Sequence, residues 1–230
     1  MAKGRSRGLA RRLGRYLYIL VRDLVIIVLA ALVVSFLIKT FLIRSFSIPT
    51  SSMEDTLQID DRVIVSQLTP GPFELSRGDV VVFADPGGWL PSGLANEDDP
   101  LTRLFNWITP RLGLPDQSGD QHLIKRVIGL PGDTVVCCDT LGAMSVNGVP
   151  LEEPYLSLPD GTTDVSGTSF SVVVPDDSLW VMGDNRYNSA DSRANLSKPG
   201  GGFVPIDNVV GRAIVVSWPS DNWTWLGNYP

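Results

Sequence analysis

Four clusters in this 230-residue chain hold residue types that can do chemistry. They are Ser47-Ile48-Pro49-Thr50-Ser51-Ser52-Met53, Arg77-Gly78-Asp79-Val80-Val81-Val82-Phe83, Lys125-Arg126-Val127-Ile128-Gly129-Leu130-Pro131-Gly132-Asp133, and Gly183-Asp184-Asn185-Arg186-Tyr187-Asn188-Ser189-Ala190-Asp191-Ser192-Arg193. Between them they offer hydroxyl nucleophiles, a lysine amine and carboxylates beside guanidinium groups, and a hydroxyl becomes a nucleophile once a base takes its proton. Taken singly, each also reads as scaffold: a linker, a turn feeding a strand, or a tight polar turn. Two cysteines and one histidine exclude most zinc-finger spacings, and neither a metal nor a cofactor is expected. A nucleophilic cysteine would want an imidazole, and His122, the only one, reads as a strand residue. Cys137 and Cys138 are adjacent in a strand-like run, where neighbouring side chains point apart, so reduced thiols and a vicinal disulfide both remain open.

The elements that must position these clusters are mainly β. Past the first 43 residues no helical period holds for twelve residues, while β-branched runs bounded by Gly, Pro and Asp recur. Strands are predicted at Arg62–Gln67, Asp79–Ala84, His122–Gly129, Thr134–Cys138, Ala143–Val146, Ser169–Val174, Leu179–Met182 and Gly211–Trp218, with a hairpin turn at Asn147-Gly148. Residues 86–121, rich in Pro, Gly and Asp, read as an inserted loop, and 138–174 as a small cap.

Ahead of this domain, Leu24–Ile43 reads LVIIVLAALVVSFLIKTFLI, long enough as a helix to cross the ~30 Å hydrocarbon core. Lys39 sits near its far end, where its stem can reach toward water. Lys3, Arg5, Arg7, Arg11, Arg12 and Arg15 precede it, which by the positive-inside rule keeps residues 1–23 cytoplasmic and places 44–230 outside the cell membrane. A cleavable signal peptide shares this layout, but its apolar region is shorter and ends at small residues, whereas Arg44-Ser45-Phe46-Ser47-Ile48-Pro49 follows here. An uncleaved anchor is the expectation.

Charge divides along the same line. Residues 1–44 hold nine Lys/Arg against Asp23, a net +8, and the remainder holds ten against 24 acids, a net −14. Such a remainder repels phosphate backbones, so nucleic acid is not an expected partner.

Together the four clusters, in their order and wording, resemble the boxes of bacterial type I signal peptidase, a membrane-bound Ser-Lys serine protease. The resemblance implies the complex antiparallel β fold of that family, behind one amino-terminal transmembrane helix. It implies Ser52 as nucleophile and Lys125 as general base, acting through an acyl-enzyme on the signal peptides of exported preproteins. A lysine at its ordinary pKa of ~10.4 is useless as a base and must be brought to roughly 7–8, which burial among Leu123, Ile124, Val127 and Ile128 can supply. The resemblance further implies an oxyanion hole from Thr50 and the Ser52 N–H, Ser189 aiming the lysine, Asp191 pairing with Arg126, and Asp184 and Arg193 supporting them. Substrate is expected along Phe46, Ser47, Ile48 and Pro49, with Ile48 and Ile124 lining shallow pockets. Trp89 and Leu90, or Trp218, Trp223 and Trp225, are candidates for an aromatic surface facing lipid.

One position departs from the family wording: Asp55 stands in the slot that many members fill with proline, and a less constrained turn is expected there. Two rival readings are a membrane-anchored β module that only binds partners, and a self-cleaving Ser-Lys regulator. The first has no need of a buried amine, and the second would carry a DNA-binding module that the sequence lacks.

Overall fold

In the computed structural model the described residues are 3–90, 122–156 and 158–227. A single long helix, α1 (Lys3–Phe41), opens the chain. Its stretch Gly14–Ile38 has mean hydropathy 2.7 and no residue buried against the protein, so it is long and apolar enough to cross a membrane. From Leu24 to Ile38 it is apolar all round but for Ser35 and exposed throughout, which fits lipid rather than a core. The side chain of Lys39 lies outside the described residues. Ile43, which apolarity alone places in the span, is instead the first residue of β1; a strand ladder to β2 captures it there.

Among the described residues twelve strands follow: β1 (Ile43–Ser47), β2 (Arg62–Ser66), β3 (Val80–Ala84), β4 (His122–Gly129), β5 (Thr134–Cys137), β6 (Ser145–Val146), β7 (Val149–Pro150), β8 (Phe170–Val173), β9 (Ser178–Met182), β10 (Val204–Pro205), β11 (Val209–Trp218) and β12 (Thr224–Trp225). One eight-stranded sheet has the order β1-β2-β11-β3-β4-β9-β10, with β12 also on β11, and a four-stranded sheet has the order β7-β6-β5-β8. All pairs are antiparallel. The mainly β fold behind one apolar helix is thus the fold observed.

Local sequence accounts for the ladders. In β2 the side chains alternate, with Val63 and Val65 buried and Arg62 exposed, the period of a strand with one covered face. Central β4 is flanked by β3 and β9, and its residues from Ile124 to Gly129 are all buried, as fits a strand covered on both faces. Asn147 and Gly148 both take positive φ (54° and 79°), the two-residue turn expected between β6 and β7. The sulfurs of Cys137 and Cys138 are bonded to each other at the end of β5, so of the two open readings the vicinal disulfide is the one formed.

Three apolar clusters fill the domain. One, under β1 and β2, holds Ile48, Met53, Leu57, Val63, Val65 and Ile124. A second, under the small sheet, centres on Trp180, Phe170 and Met144. The third holds Phe83, Trp89 and Val127. Trp89 therefore packs in the core, edge-on to Phe83, and is removed from the candidates for a lipid-facing surface. Trp218, Trp223 and Trp225 remain exposed. Most of the 86–121 insert, from residue 91, lies outside the described residues.

Candidate active site

The chain between β1 and β2 turns back through a short 3-10 helix, Ser51–Met53. Ile48 bonds through its backbone to Asp60 and Asp61, and the fully buried Met53 and Leu57 fasten the turn to the core. Anchors on either side of Ser52 fix its side chain toward β4. There Lys125 Nζ stands 2.6 Å from Ser52 Oγ and 2.8 Å from the carbonyl oxygen of Ile124. Both side chains are buried, Lys125 at 3% exposure and Ser52 at 7%.

Burial pushes the Lys125 pKa down to about 8, against the opposing pull of the Asp191 and Asp184 carboxylates. Removal from water disfavours the ammonium, and among the described residues no carboxylate touches the amine to restore it. A neutral amine within hydrogen-bond reach of a hydroxyl is the geometry of a base and its nucleophile. Thr50 Oγ1 lies 3.3 Å from Ser52 Oγ, bringing a second hydroxyl to the same point.

The segment Gly183–Arg193, following β9, builds the other wall. Asn185 N–H donates to the Ser52 carbonyl at 3.2 Å, and its side-chain amide donates to the Ser51 carbonyl at 3.2 Å. Gly183 permits this approach, since a Cβ there would collide with the Ser52 carbonyl and the Ser189 hydroxyl. Ser189 Oγ is buried beside Gly183 and has no hydrogen-bond partner among the described residues. The bond to Lys125 implied by the resemblance is therefore not formed in this arrangement, in which the amine turns to Ser52 and Ile124.

The expected pairing of Asp191 with Arg126 is also corrected. Arg126 grips Asp184 in a two-pronged fork, Nε to Oδ1 at 2.8 Å and Nη2 to Oδ2 at 2.5 Å, and donates to the Gly78 carbonyl at 2.7 Å. The cause is register: Arg126 lies opposite Met182, and Asp184 follows two residues later, the spacing that returns to the same face. Asp191 is held by Arg193, whose Nε and Nη2 reach it at 2.9 and 2.7 Å, and it accepts the Gly183 N–H at 3.0 Å. Asp184 also accepts the Thr56 hydroxyl at 2.6 Å, linking this network to the loop after Ser52.

Along the expected substrate strand, Phe46 is half-buried, Ser47 and Pro49 are exposed, and β1 ends the order of its sheet. Ile48, at 2% exposure, and Ile124, at 8%, belong to the core below that strand. Sequence reasoning missed Thr56, Glu153, Tyr155 and Arg186. Arg186 is fully buried, with Nε on the Gly183 carbonyl at 2.9 Å and Nη2 on Glu153 Oε1 at 2.6 Å. Arg186 stands inside a quoted cluster, but its partner comes from a loop with no signal of its own. Among the described residues no group of His, Cys, Asp and Glu is placed to hold a metal.

Asp55 has φ 79°, and Thr56 N–H donates to the Met53 carbonyl at 3.1 Å. With Glu54 at φ −54° and ψ 146°, this is a defined type II turn rather than the loosened one expected from the missing proline.

The family model described as "Signal peptidase, peptidase S26" matches residues 21–218. A probable signal peptidase I of Mycobacterium leprae is 36% identical over 205 residues, covering 78% of this chain and 70% of that protein. A signal peptidase I of Mycobacterium tuberculosis is 37% identical over 200 residues, covering 76% and 65%, and one of Leptolyngbya laminosa is 36% identical over 182 residues, covering 79% and 72%. A solved signal peptidase I from Enterococcus faecalis is 25% identical, covers 61% of this chain and 97% of its own, and has a TM-score of 0.39. With most of its length matched by the family model and by these relatives, the chain belongs to the signal peptidase family, peptidase S26.

Proposed function

We propose that this chain is a membrane-anchored serine endopeptidase that removes signal peptides from exported preproteins through a Ser52–Lys125 dyad. The observation carrying this reading is the buried 2.6 Å contact between a serine hydroxyl and a lysine whose pKa burial brings down to about 8. Neutral Nζ takes the Ser52 proton as Oγ attacks the scissile carbonyl carbon. The oxyanion is met by the Ser52 N–H and the Thr50 hydroxyl; one such donor is typically worth ~10²–10³ in rate. The Lys125 ammonium then gives its proton to the departing amine, leaving an acyl-enzyme on Ser52. A water, deprotonated by the same amine, hydrolyses the ester and restores both side chains.

The substrate extends along Phe46–Pro49, where an edge strand offers backbone pairing and shallow pockets select small side chains. Signal peptides and the lipid bilayer are the partners. The basic amino terminus stays in the cytoplasm and the β domain works outside, with Trp218, Trp223 and Trp225 at the headgroup level. Tethering both reactants to one membrane raises their effective concentration.

The test is processing of a purified preprotein by the full chain. Ser52→Ala and Lys125→Ala should both abolish cleavage. Lys125→Arg should fail too, since a guanidinium is never a neutral base. Processing that survives Ser52→Ala would remove the reading.

A further inference from the structure

The loop after β7 brings Glu153 and Tyr155 back across the large sheet. Glu153 pairs with the fully buried Arg186, and the Tyr155 hydroxyl donates to Glu153 Oε1 at 2.9 Å. Burial, with the Glu153 carboxylate next, keeps that hydroxyl protonated far beyond its usual range, so it remains a donor. The ring thus fixed lies over the Arg126 guanidinium, whose central carbon is 3.9 Å from the ring centre. Arg126 is in turn the group that holds Asp184 in its fork.

Building on the Ser52–Lys125 reading, we infer that Tyr155 is a positioning residue for the general base: its ring holds Arg126 on Asp184, so that Asp184 is neutralised by Arg126 and does not hold a proton on Lys125. Among the described residues the charged groups around Lys125 are few. Asp184 and Asp191 come from the segment after β9, Arg126 is its neighbour on β4, and Arg193 holds Asp191. The nucleophile turn presents the Ser52 hydroxyl, and β3 presents Val81 opposite. Asp191, the larger of the two pulls on the amine, is already clamped by Arg193, so what a change at Tyr155 can alter is how well Arg126 covers Asp184.

The ring also shields the guanidinium. A cavity of about 430 Å³ is lined by Arg126, Tyr155, Asp55, Thr56, Trp225 and Leu226, yet Arg126 is only 1% exposed. Without the ring the cavity would open onto the face of the guanidinium, and water would draw it from the carboxylate fork. Cation–π attraction of this kind strengthens when the pair is desolvated, as here.

The experiment measures the acid limb of kcat/KM in the full-length wild type, Tyr155→Phe, Tyr155→Met, and a chain carrying pentafluorophenylalanine at position 155. Phe keeps the π face and loses the bond to Glu153, so its limb should move less than that of the fluorinated ring. Met and the fluorinated ring, which keeps the shape but inverts the ring's electrostatics, should move the limb up by about half a pH unit, roughly a threefold loss well below the limb. If Tyr155→Met does not fold, the fluorinated chain decides alone. An unmoved limb with the fluorinated ring, or a limb that Phe shifts as far as the fluorinated ring does, overturns the inference. Ser52→Ala and Lys125→Ala run alongside: if either still cleaves, the dyad itself has failed, whereas a dead dyad mutant with an unmoved fluorinated limb sinks only the role of Tyr155.

Discussion

At the scale of single residues, the proposed chemistry rests on one amine kept out of water. Because burial lowers the Lys125 pKa to about 8, the reactive neutral form grows as pH rises through that value. Cleavage should therefore climb about tenfold per pH unit below the limb and level off above it, which a pH profile of kcat/KM on a non-titrating peptide will check. The turn after the nucleophile gives a second expectation. Asp55 holds φ 79°, a conformation that glycine accepts freely and proline cannot enter. Asp55→Gly should retain activity and gain up to ~1 kcal/mol, whereas Asp55→Pro, restoring the residue common in the family, should cost ~3 kcal/mol or more together with cleavage; thermal melts with an activity assay decide both. Ser52 and Lys125 were singled out by the resemblance to the family's boxes, and the apolar neighbours Leu123, Ile124, Val127 and Ile128 offered a source of desolvation for the lysine. The partner of Arg126 was not legible, since that depends on which β9 residue lies opposite, and a one-residue change of register moves a side chain to the other face.

At the scale of elements, β4 and the segment after β9 act as a pair of jaws closed by buried charge. The Arg126–Asp184 pair is 1% and 0% exposed at the side chains, so Asp184→Asn leaves a buried guanidinium without its counter-charge. A loss of about 3–5 kcal/mol is expected, read as a fall in the urea midpoint. Gly183→Ala should act differently, because its methyl group would strike the Ser52 carbonyl and the Ser189 hydroxyl. Displacing the nucleophile should reduce kcat at least a hundredfold with a smaller effect on stability, a split that kinetics and melting together will reveal. Strand positions were readable from β-branched runs, and His122–Gly129 was predicted with the bounds that β4 has. Short pieces such as β10 and β12 were not, because two residues carry no period and are held in place by their neighbours.

At the scale of the whole molecule, an apolar helix, an acidic β domain and an exposed tryptophan group divide the work. Trp223 and Trp225 meet edge to face at 5.6 Å on the outside of the sheet, with Trp218 also exposed on β11. Replacing all three with serine should leave cleavage of a short soluble peptide intact and slow processing of a preprotein embedded in vesicles several-fold. Equal loss on both substrates would place these rings in support of the sheet instead. The sequence marked a stretch long and apolar enough to cross a membrane, since hydropathy is a summed property. It did not show that Trp89 turns inward, because whether an indole packs or protrudes is decided by the partner across the sheet, here Phe83.

Only Leu42 separates the end of α1 at Phe41 from the start of β1 at Ile43. On the proposed membrane anchoring the tether has almost no slack, and the strand proposed to receive the substrate begins at a set height above the bilayer. Selection of a cut site then becomes partly a matter of vertical distance: a bond is eligible when its own chain, leaving the same membrane, arrives at that level.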